Sequence, residues 1–250
     1  MRHALITAGT KGLGLQVVEG LLEAGYSATV TYFSDNEKAE TLRQKWAHKK
    51  LQLVQADVTK KEDLQTAAAQ ALSFAGRIDL CIHNAGPYVF EKKKLMDYSE
   101  AEWAYMIDGN LNSAFYLLQQ VIPVMRKQSF GRIVFYGFQG ANSAPGWIYR
   151  SAYAAAKVGL VSLMKTISIE EAGHGITANM VCPGNIMGEM KESTIQEARE
   201  RNDSDTPIGR SGTGEDIART VLFLCEDDAD MVTGTVVEVT GGVDVIHRYR

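Results

Sequence analysis

Apolar residues recur along the chain in two alternating patterns: short apolar or β-branched runs, and longer stretches with helical spacing. His3-Ala4-Leu5-Ile6-Thr7 is apolar enough for a strand buried on both faces. Val17, Val18, Leu21 and Leu22 then share one helical face, ended by Gly25, and Ala28 to Phe33 reads as a second strand. The alternation continues. Ala39, Leu42 and Trp46 mark a helix, Leu51 to Val54 a strand, Leu64, Ala67, Ala68, Ala71 and Leu72 a helix, and Ile78 to Ile82 a strand. Ser99 with Glu102 is a capping-box pattern opening a long helix through Trp103, Ile107, Leu111, Ala114, Leu118 and Val121. Gly131 to Tyr136 is a fifth strand and Ile176 to Cys182 a sixth, with a helix through Leu160, Leu163, Met164 and Ile167 between them. Every unit is β then α, which predicts an α/β domain: a doubly wound parallel sheet flanked by helices, with right-handed crossovers. Any site should then sit at the carboxyl ends of the strands.

Composition narrows this little. The 250 residues, 45% of them hydrophobic, suit one large α/β domain. No internal repeat or linker interrupts it. A net charge of −4 and only one run of three basic residues, Lys92-Lys93-Lys94, give no reason to expect nucleic acid. Cys81, Cys182 and Cys225 are far apart in apolar runs, so they read as buried thiols in a reducing compartment. The five histidines lack metal-ligand spacing, and no metal is expected. No apolar run approaches the ~18 residues of a membrane span, and Met1-Arg2-His3 runs straight into a strand, so a cytoplasmic protein is the expectation.

Two stretches carry chemistry. Between the first strand and helix lies Thr7-Ala8-Gly9-Thr10-Lys11-Gly12-Leu13-Gly14. Glycines there let backbone approach a phosphate pair at the helix N-terminus, where free N–H groups and the helix dipole favour anions. Further on, Ser151-Ala152-Tyr153-Ala154-Ala155-Ala156-Lys157 places a phenol and an ammonium four apart, on one helical face. The ammonium should lower the phenol's pKa and let it exchange a proton with a carbonyl or alcohol near neutral pH. On those residues alone a surface Tyr–Lys pair is the better reading, because four residues specify little.

Together these stretches resemble the classical short-chain dehydrogenases/reductases, and the resemblance runs in order over nearly the whole chain. The octapeptide is similar to the family's Thr-Gly-x-x-x-Gly-x-Gly, with Gly12 and Gly14 matching and Ala8 at the first glycine. Asp57-Val58 resembles an Asp-Val pair that holds adenine, although Asp57 alone could equally cap the helix beginning near Lys61. His83-Asn84-Ala85-Gly86 resembles Asn-Asn-Ala-Gly, which implies cofactor contacts for Asn84, Ala85 and Gly86. Asn110 matches the catalytic asparagine that holds a relay water. Pro183-Gly184 and Ile186 match the stretch beside the nicotinamide. The resemblance implies a single seven-stranded Rossmann domain over 1–250. Residues 1–184 would bind dinucleotide and carry the catalytic helix, 185–210 would form a substrate lid, and 211–250 the last helix, strand and tail. It also implies a homotetramer or homodimer built on the helices around Asn110 and Tyr153, with the tail from Val243 to Arg250 in a subunit contact.

The cofactor choice turns on the end of the second strand. Thr31, Tyr32 and Phe33 offer no acid to repel a 2′-phosphate, Ser34 could donate to one, and Lys11 lies where NADP-preferring members often carry a basic residue. Asp35, slightly further on, points the other way. NADP(H) is therefore expected over NAD(H). The main departure concerns the family's serine, about thirteen residues before the tyrosine. Counting back from Tyr153 reaches Gly140. Aligning on Gly131-Arg132-Ile133 reaches Gly137 or Phe138 and implies about two extra loop residues. Ser143 and Gln139 are the candidates to replace the serine. The implied function is reduction of a ketone, of the 3-oxoacyl thioester kind, with Tyr153 as acid and Lys157 and Asn110 beside it. Arg126, Lys127 and Arg150 could meet an acyl carrier protein. The alternatives are a low-turnover NADP-binding relative and an NAD-linked sugar or polyol dehydrogenase. An enoyl reductase is disfavoured, because that group spaces its tyrosine and lysine further apart.

Overall fold

The computed structural model describes residues 1–246; Arg250 and the three residues before it, part of the tail expected at a subunit contact, lie outside the described residues. Seven strands form one parallel sheet: β1 (His3–Ile6), β2 (Ser27–Tyr32), β3 (Leu51–Gln55), β4 (Leu80–His83), β5 (Gly131–Tyr136), β6 (Ile176–Pro183) and β7 (Val236–Val239). Their order is β3-β2-β1-β4-β5-β6-β7, with every neighbouring pair parallel. The chain winds outward from β1 to β3, then returns to the other side of β1 at β4. The crevice between β1 and β4 is therefore the switch point where such sheets take ligands.

The central strands are apolar because both faces are covered. Alternate residues of β1 serve opposite cores, Leu5 one and Ala4 and Ile6 the other. The first core is closed by α3 (Lys61–Ala75), α5 (Ser113–Gln128) and α6 (Ser151–Glu170). The second is closed by α1 (Gly12–Glu23), α2 (Asn36–Lys45) and α8 (Gly214–Cys225). Gly20 lets α1 approach α8: a Cβ there would lie 3.3 Å from Leu222 Cδ2. Cys81, Cys182 and Cys225 are buried free thiols.

The long helix expected from Ser99 is interrupted. Its capping box forms, with Ser99 N–H donating to Glu102 Oε2 (2.8 Å) and Glu102 N–H to Ser99 Oγ (3.2 Å). However, α4 (Glu100–Ile107) gives way to a π-helical turn over Asp108–Asn112 before α5 begins. Such turns are single-residue insertions often found at functional sites. Asn110 lies inside this one. The stretch expected as a lid forms a 3₁₀ turn (Gly188–Lys191) and α7 (Ile195–Arg199). At α6 the structure corrects the sequence reading: this 20-residue helix is long and apolar enough to cross a membrane. Half of the apolar window is buried, with Leu160, Met164 and Ile167 packed in the first core.

Two buried histidines link this packing to acid stability. His3 hydrogen-bonds through its ring nitrogens to Ser27 Oγ (2.9 Å) and Thr29 Oγ1 (3.0 Å). His83 Nε2 meets Ser113 Oγ at 2.9 Å, and its Nδ1 is buried without a partner. Burial lowers the first to about 4 and the second to about 3, with Lys157 adding to the effect on His83. The unfolded chain takes up protons near pH 6.5 that the folded chain refuses, so stability falls as pH drops from there towards 4. Urea unfolding between pH 6.5 and 5 should lose about 1.4 kcal/mol per pH unit for each histidine. His83→Asn should remove about half of that slope.

Candidate active site and dinucleotide cradle

The turn from β1 into α1 is packed so closely that side chains are excluded. A Cβ on Gly9 would lie 2.7 Å from Val30 Cγ1, and one on Gly14 would lie 2.5 Å from both Ala8 O and Asn84 Nδ2. Asn84 Nδ2 donates to Ala8 O (2.9 Å) and Thr7 O (3.2 Å), and Ala85 N–H donates to Thr7 Oγ1 (2.9 Å). The end of β4 thus holds the end of β1. Ala8 has φ 52, the left-handed region that favours glycine. This departure from the glycine pattern carries a local cost of roughly 1 kcal/mol, offset by Ala8 N–H donating to Thr31 Oγ1 (3.1 Å).

The N-terminus of α1 already holds an anion from the chain itself. Gly12 N–H donates to Glu192 Oε1 (2.8 Å), Gln16 Nε2 donates to Glu192 O (3.0 Å), and Lys38 Nζ lies 3.6 Å from Glu192 Oε2. A carboxylate here is the expected partner of free helix N–H groups. Nothing in the sequence signalled this contact, because Glu192 lies 180 residues from Gly12. Beside the cradle is a cavity of about 160 Å³ lined by Ala8, Tyr32, Phe33, Val58, Gly86 and Tyr105, among others. At its rim Lys11 Nζ lies 3.4 Å from Asp35 Oδ2, and Asp35 Oδ1 accepts from Lys38 N–H (3.2 Å), capping α2. Ser34 is exposed next to them. Asp57 Oδ1 accepts from Thr59 N–H (3.0 Å) and Thr59 Oγ1 (2.7 Å), ahead of α3 and not at its cap, which is Lys60.

At the carboxyl end of β4, Gly86 brings three elements together. A Cβ there would lie 2.3 Å from Asn110 Oδ1 and 3.5 Å from Lys157 Nζ. Asn110 Nδ2 donates to Pro87 O (2.9 Å) and Met106 O (3.0 Å), while its Oδ1 is buried without a partner among the described residues. A buried acceptor left open is expected to meet water or ligand. Lys157 is buried (3% exposed), and its Nζ lies 5.7 Å from the centre of the Tyr153 ring. Burial brings its pKa down to about 8, with Cys182 opposing. Tyr153 was expected to be lowered by this lysine. Instead the phenol is pushed up, first by burial and then by Tyr88 and Cys182. The buried lysine is itself destabilised as a cation, and desolvation dominates both groups.

Around Tyr153 stand three aromatic rings, Tyr88 edge-on at 5.0 Å, Trp147 at 6.0 Å and Phe138 at 6.1 Å between centroids. Phe138 stands at one of the positions where alignment on the fifth strand puts the family's serine. Gln139 turns its Oε1 to the Val245 N–H in the tail. Ser143 is exposed on a 3₁₀ turn, its N–H donating to Gly140 O (2.8 Å). Gly184 packs on Thr240, and Ile186 N–H is taken by Gly184 O (3.0 Å), which leaves its carbonyl for other contacts. Beyond lies a cavity of about 540 Å³ lined by Asn185, Met187, Glu189, Arg201, Thr206 and Val243, among others.

A parallel doubly wound sheet, a glycine turn at its switch point and a Tyr–Lys pair beside it define a dinucleotide-dependent oxidoreductase. Comparison with known proteins narrows the class. The family profile described as Enoyl-(Acyl carrier protein) reductase matches residues 7–244. A Bacillus subtilis (strain 168) protein, YtkK, provisionally named an oxidoreductase, is 61% identical over 99% of this chain and 98% of its own. The 3-oxoacyl-(acyl-carrier-protein) reductase FabG of Staphylococcus epidermidis is 33% identical over 97% of this chain and 98% of its own. A solved structure from Bacillus thuringiensis, provisionally described as a 3-oxoacyl-reductase, superposes with a TM-score of 0.93 at 65% identity. It covers 99% of this chain and 100% of that one. The chain belongs to the short-chain dehydrogenase/reductase family and is an NAD(P)-dependent oxidoreductase.

The lysine's depressed pKa has a measurable consequence. Between about pH 8 and 10.5 the unfolded chain holds a proton on Lys157 that the folded chain has released, so stability rises with pH across that window. At pH 7 the charge costs on the order of 3 kcal/mol. Lys157→Met should therefore stabilise the protein at pH 7 in urea melts, and the gain should disappear towards pH 10.5.

Proposed function

We propose that this protein is an NADPH-dependent reductase of ketones, of the 3-oxoacyl thioester type. The observation that carries the reading is the convergence of Tyr153, Lys157 and the open Oδ1 of Asn110 at the switch point, next to the glycine cradle. When bound, NADPH supplies the hydride that reduces the carbonyl carbon. The chain's own residues do the rest. Gly12 and its neighbours hold phosphate in place of Glu192, and Asn84, Ala85 and Gly86 border the ribose. Pro183, Gly184 and Ile186 border the nicotinamide, with Thr10 and Leu13 in the turn. Tyr153 Oη gives its proton to the carbonyl oxygen, and an uncharged phenol at neutral pH suits the direction of reduction. Lys157, titrating near neutrality, steadies the nicotinamide ribose and returns a proton to Tyr153 through water on Asn110 Oδ1.

NADP(H) is favoured because Asp35, the only acid near the second strand's end, is already engaged by Lys11 and by its helix cap. The carrier-protein partner draws less support. Arg126 is held by Glu171 (2.7 Å) and Arg150 is turned into the protein, so two of the three basic residues considered for it are occupied. The substrate reading rests instead on the names carried by the relatives. Trp103 and Phe115, partly exposed on α4 and α5, suit a homodimer or homotetramer built on those helices. The cytoplasm suits three reduced thiols.

The test is NADPH oxidation with a short 3-oxoacyl thioester and a panel of simple and cyclic ketones, with NADH as control. Tyr153→Phe should lower turnover by about 10²–10⁴-fold. NADPH binding without turnover would favour the low-turnover relative, for which the missing serine is the motive. Preference for NADH with a sugar alcohol would favour the dehydrogenase. In the same assays Glu192→Gln should tighten NADPH binding roughly two- to fivefold, the usual effect of one charge at a helix end. Weaker binding would show that Glu192 is no competitor.

A further inference from the structure

We propose that Tyr88 supplies the second hydrogen bond to the substrate's carbonyl oxygen, in place of the serine this chain lacks. The inference rests on the ketone-reductase reading. Phe138 has no donor to offer, Gln139 is drawn towards the tail, where its amide oxygen accepts from the Val245 N–H, and Ser143 is exposed. Of the three rings that stand against Tyr153, only that of Tyr88 carries a hydroxyl, and it packs edge-on at 5.0 Å.

That hydroxyl is held by Arg150. Arg150 Nε donates to Tyr88 Oη (2.7 Å), and the guanidinium lies 5.0 Å from the centre of the ring. The rest of the guanidinium is satisfied by main-chain carbonyls, those of Glu91 (2.8 Å), Tyr149 (2.9 Å) and Phe90 (3.1 Å). No carboxylate pairs with it among the described residues. An oxygen that accepts from a cation keeps its own hydrogen to give, and the cation strengthens that gift.

The backbone around Tyr88 is fixed on both sides, as a preorganised donor requires. Asn110 Nδ2 holds Pro87 O, and Gly109 packs so closely on Pro87 that a Cβ would lie 2.3 Å from its Cδ. On the other side Tyr149, next to Arg150, is held at φ 64, and Ala144 at φ 49. Non-glycine residues in that region are strained and tend to mark functional segments. The extra loop residues inferred from the sequence fall in this same 138–153 stretch. That stretch also carries Arg150, which holds Tyr88.

Tyr88→Phe keeps the edge packing and deletes only the hydroxyl. It should lower kcat roughly a hundredfold, with NADPH affinity and the Lys157-linked pH dependence unchanged. Arg150→Lys, which keeps one donor, should fall between wild type and Arg150→Met. Adding Phe138→Ser to Tyr88→Phe should recover part of the lost kcat. A Tyr88→Phe enzyme with wild-type kcat would overturn the assignment while leaving the reductase reading intact. Wild-type protein that binds NADPH but reduces no ketone would remove both.

Discussion

Gly86 has no room for a side chain, and the site depends on that. The end of β4, the π-helical turn and α6 meet at one point because a Cβ on Gly86 would fall within 2.3 Å of Asn110 Oδ1 and 3.5 Å of Lys157 Nζ. Everything nearby follows from this approach. Asn110 can reach Pro87 O only because the π turn rotates it inward, and Lys157 is buried because α6 lies directly on that turn. Two buried polar atoms here, His83 Nδ1 and Asn110 Oδ1, have no partner among the described residues. A fold that leaves polar groups open in its interior gives up stability there, and active sites are where such sacrifices collect.

The same crowding explains why the electrostatics departs from the simple pairing of a phenol with an ammonium. In water, a lysine beside a tyrosine would favour the phenolate. Here desolvation acts on both, raising Tyr153 and lowering Lys157 towards neutrality. The pair is more neutral, not more charged, than its members are alone. Burial thus favours the protonated phenol and the uncharged amine over their ions. Phe138 adds an apolar ring beside the phenol.

Much of the fold was legible in the sequence because buried parallel strands and amphipathic helices impose periodicities that short windows reveal. The seven strands and the Ser99 capping box are such local features. What escaped reading was non-local or conformational. The π turn around Asn110 hides in a run whose apolar spacing continues through it. The positive φ of Ala8 is invisible unless a glycine is expected there. Glu192 meets Gly12 across 180 residues, and Arg150 meets Tyr88 across 62. No window sees either pair. The sign of the Tyr153 shift was missed for a related reason: spacing shows which charges are near, whereas burial decides which of them survive.

The carboxylate on α1 ties two regions that the chain keeps apart. Residues 188–192 belong to the segment between β6 and α8, yet Glu192 is anchored through its side chain to Gly12 and through its carbonyl to Gln16. Gly214, at the start of α8, packs against the same segment so closely that a Cβ would lie 2.0 Å from Lys191 O. A phosphate entering the cradle competes with Glu192 for one set of N–H groups, and both cannot be held there at once. The anchored segment also borders the larger cavity, since Met190 and Glu189 line it two and three residues before Glu192. A single carboxylate therefore joins the start of α1 to the segment that walls that cavity.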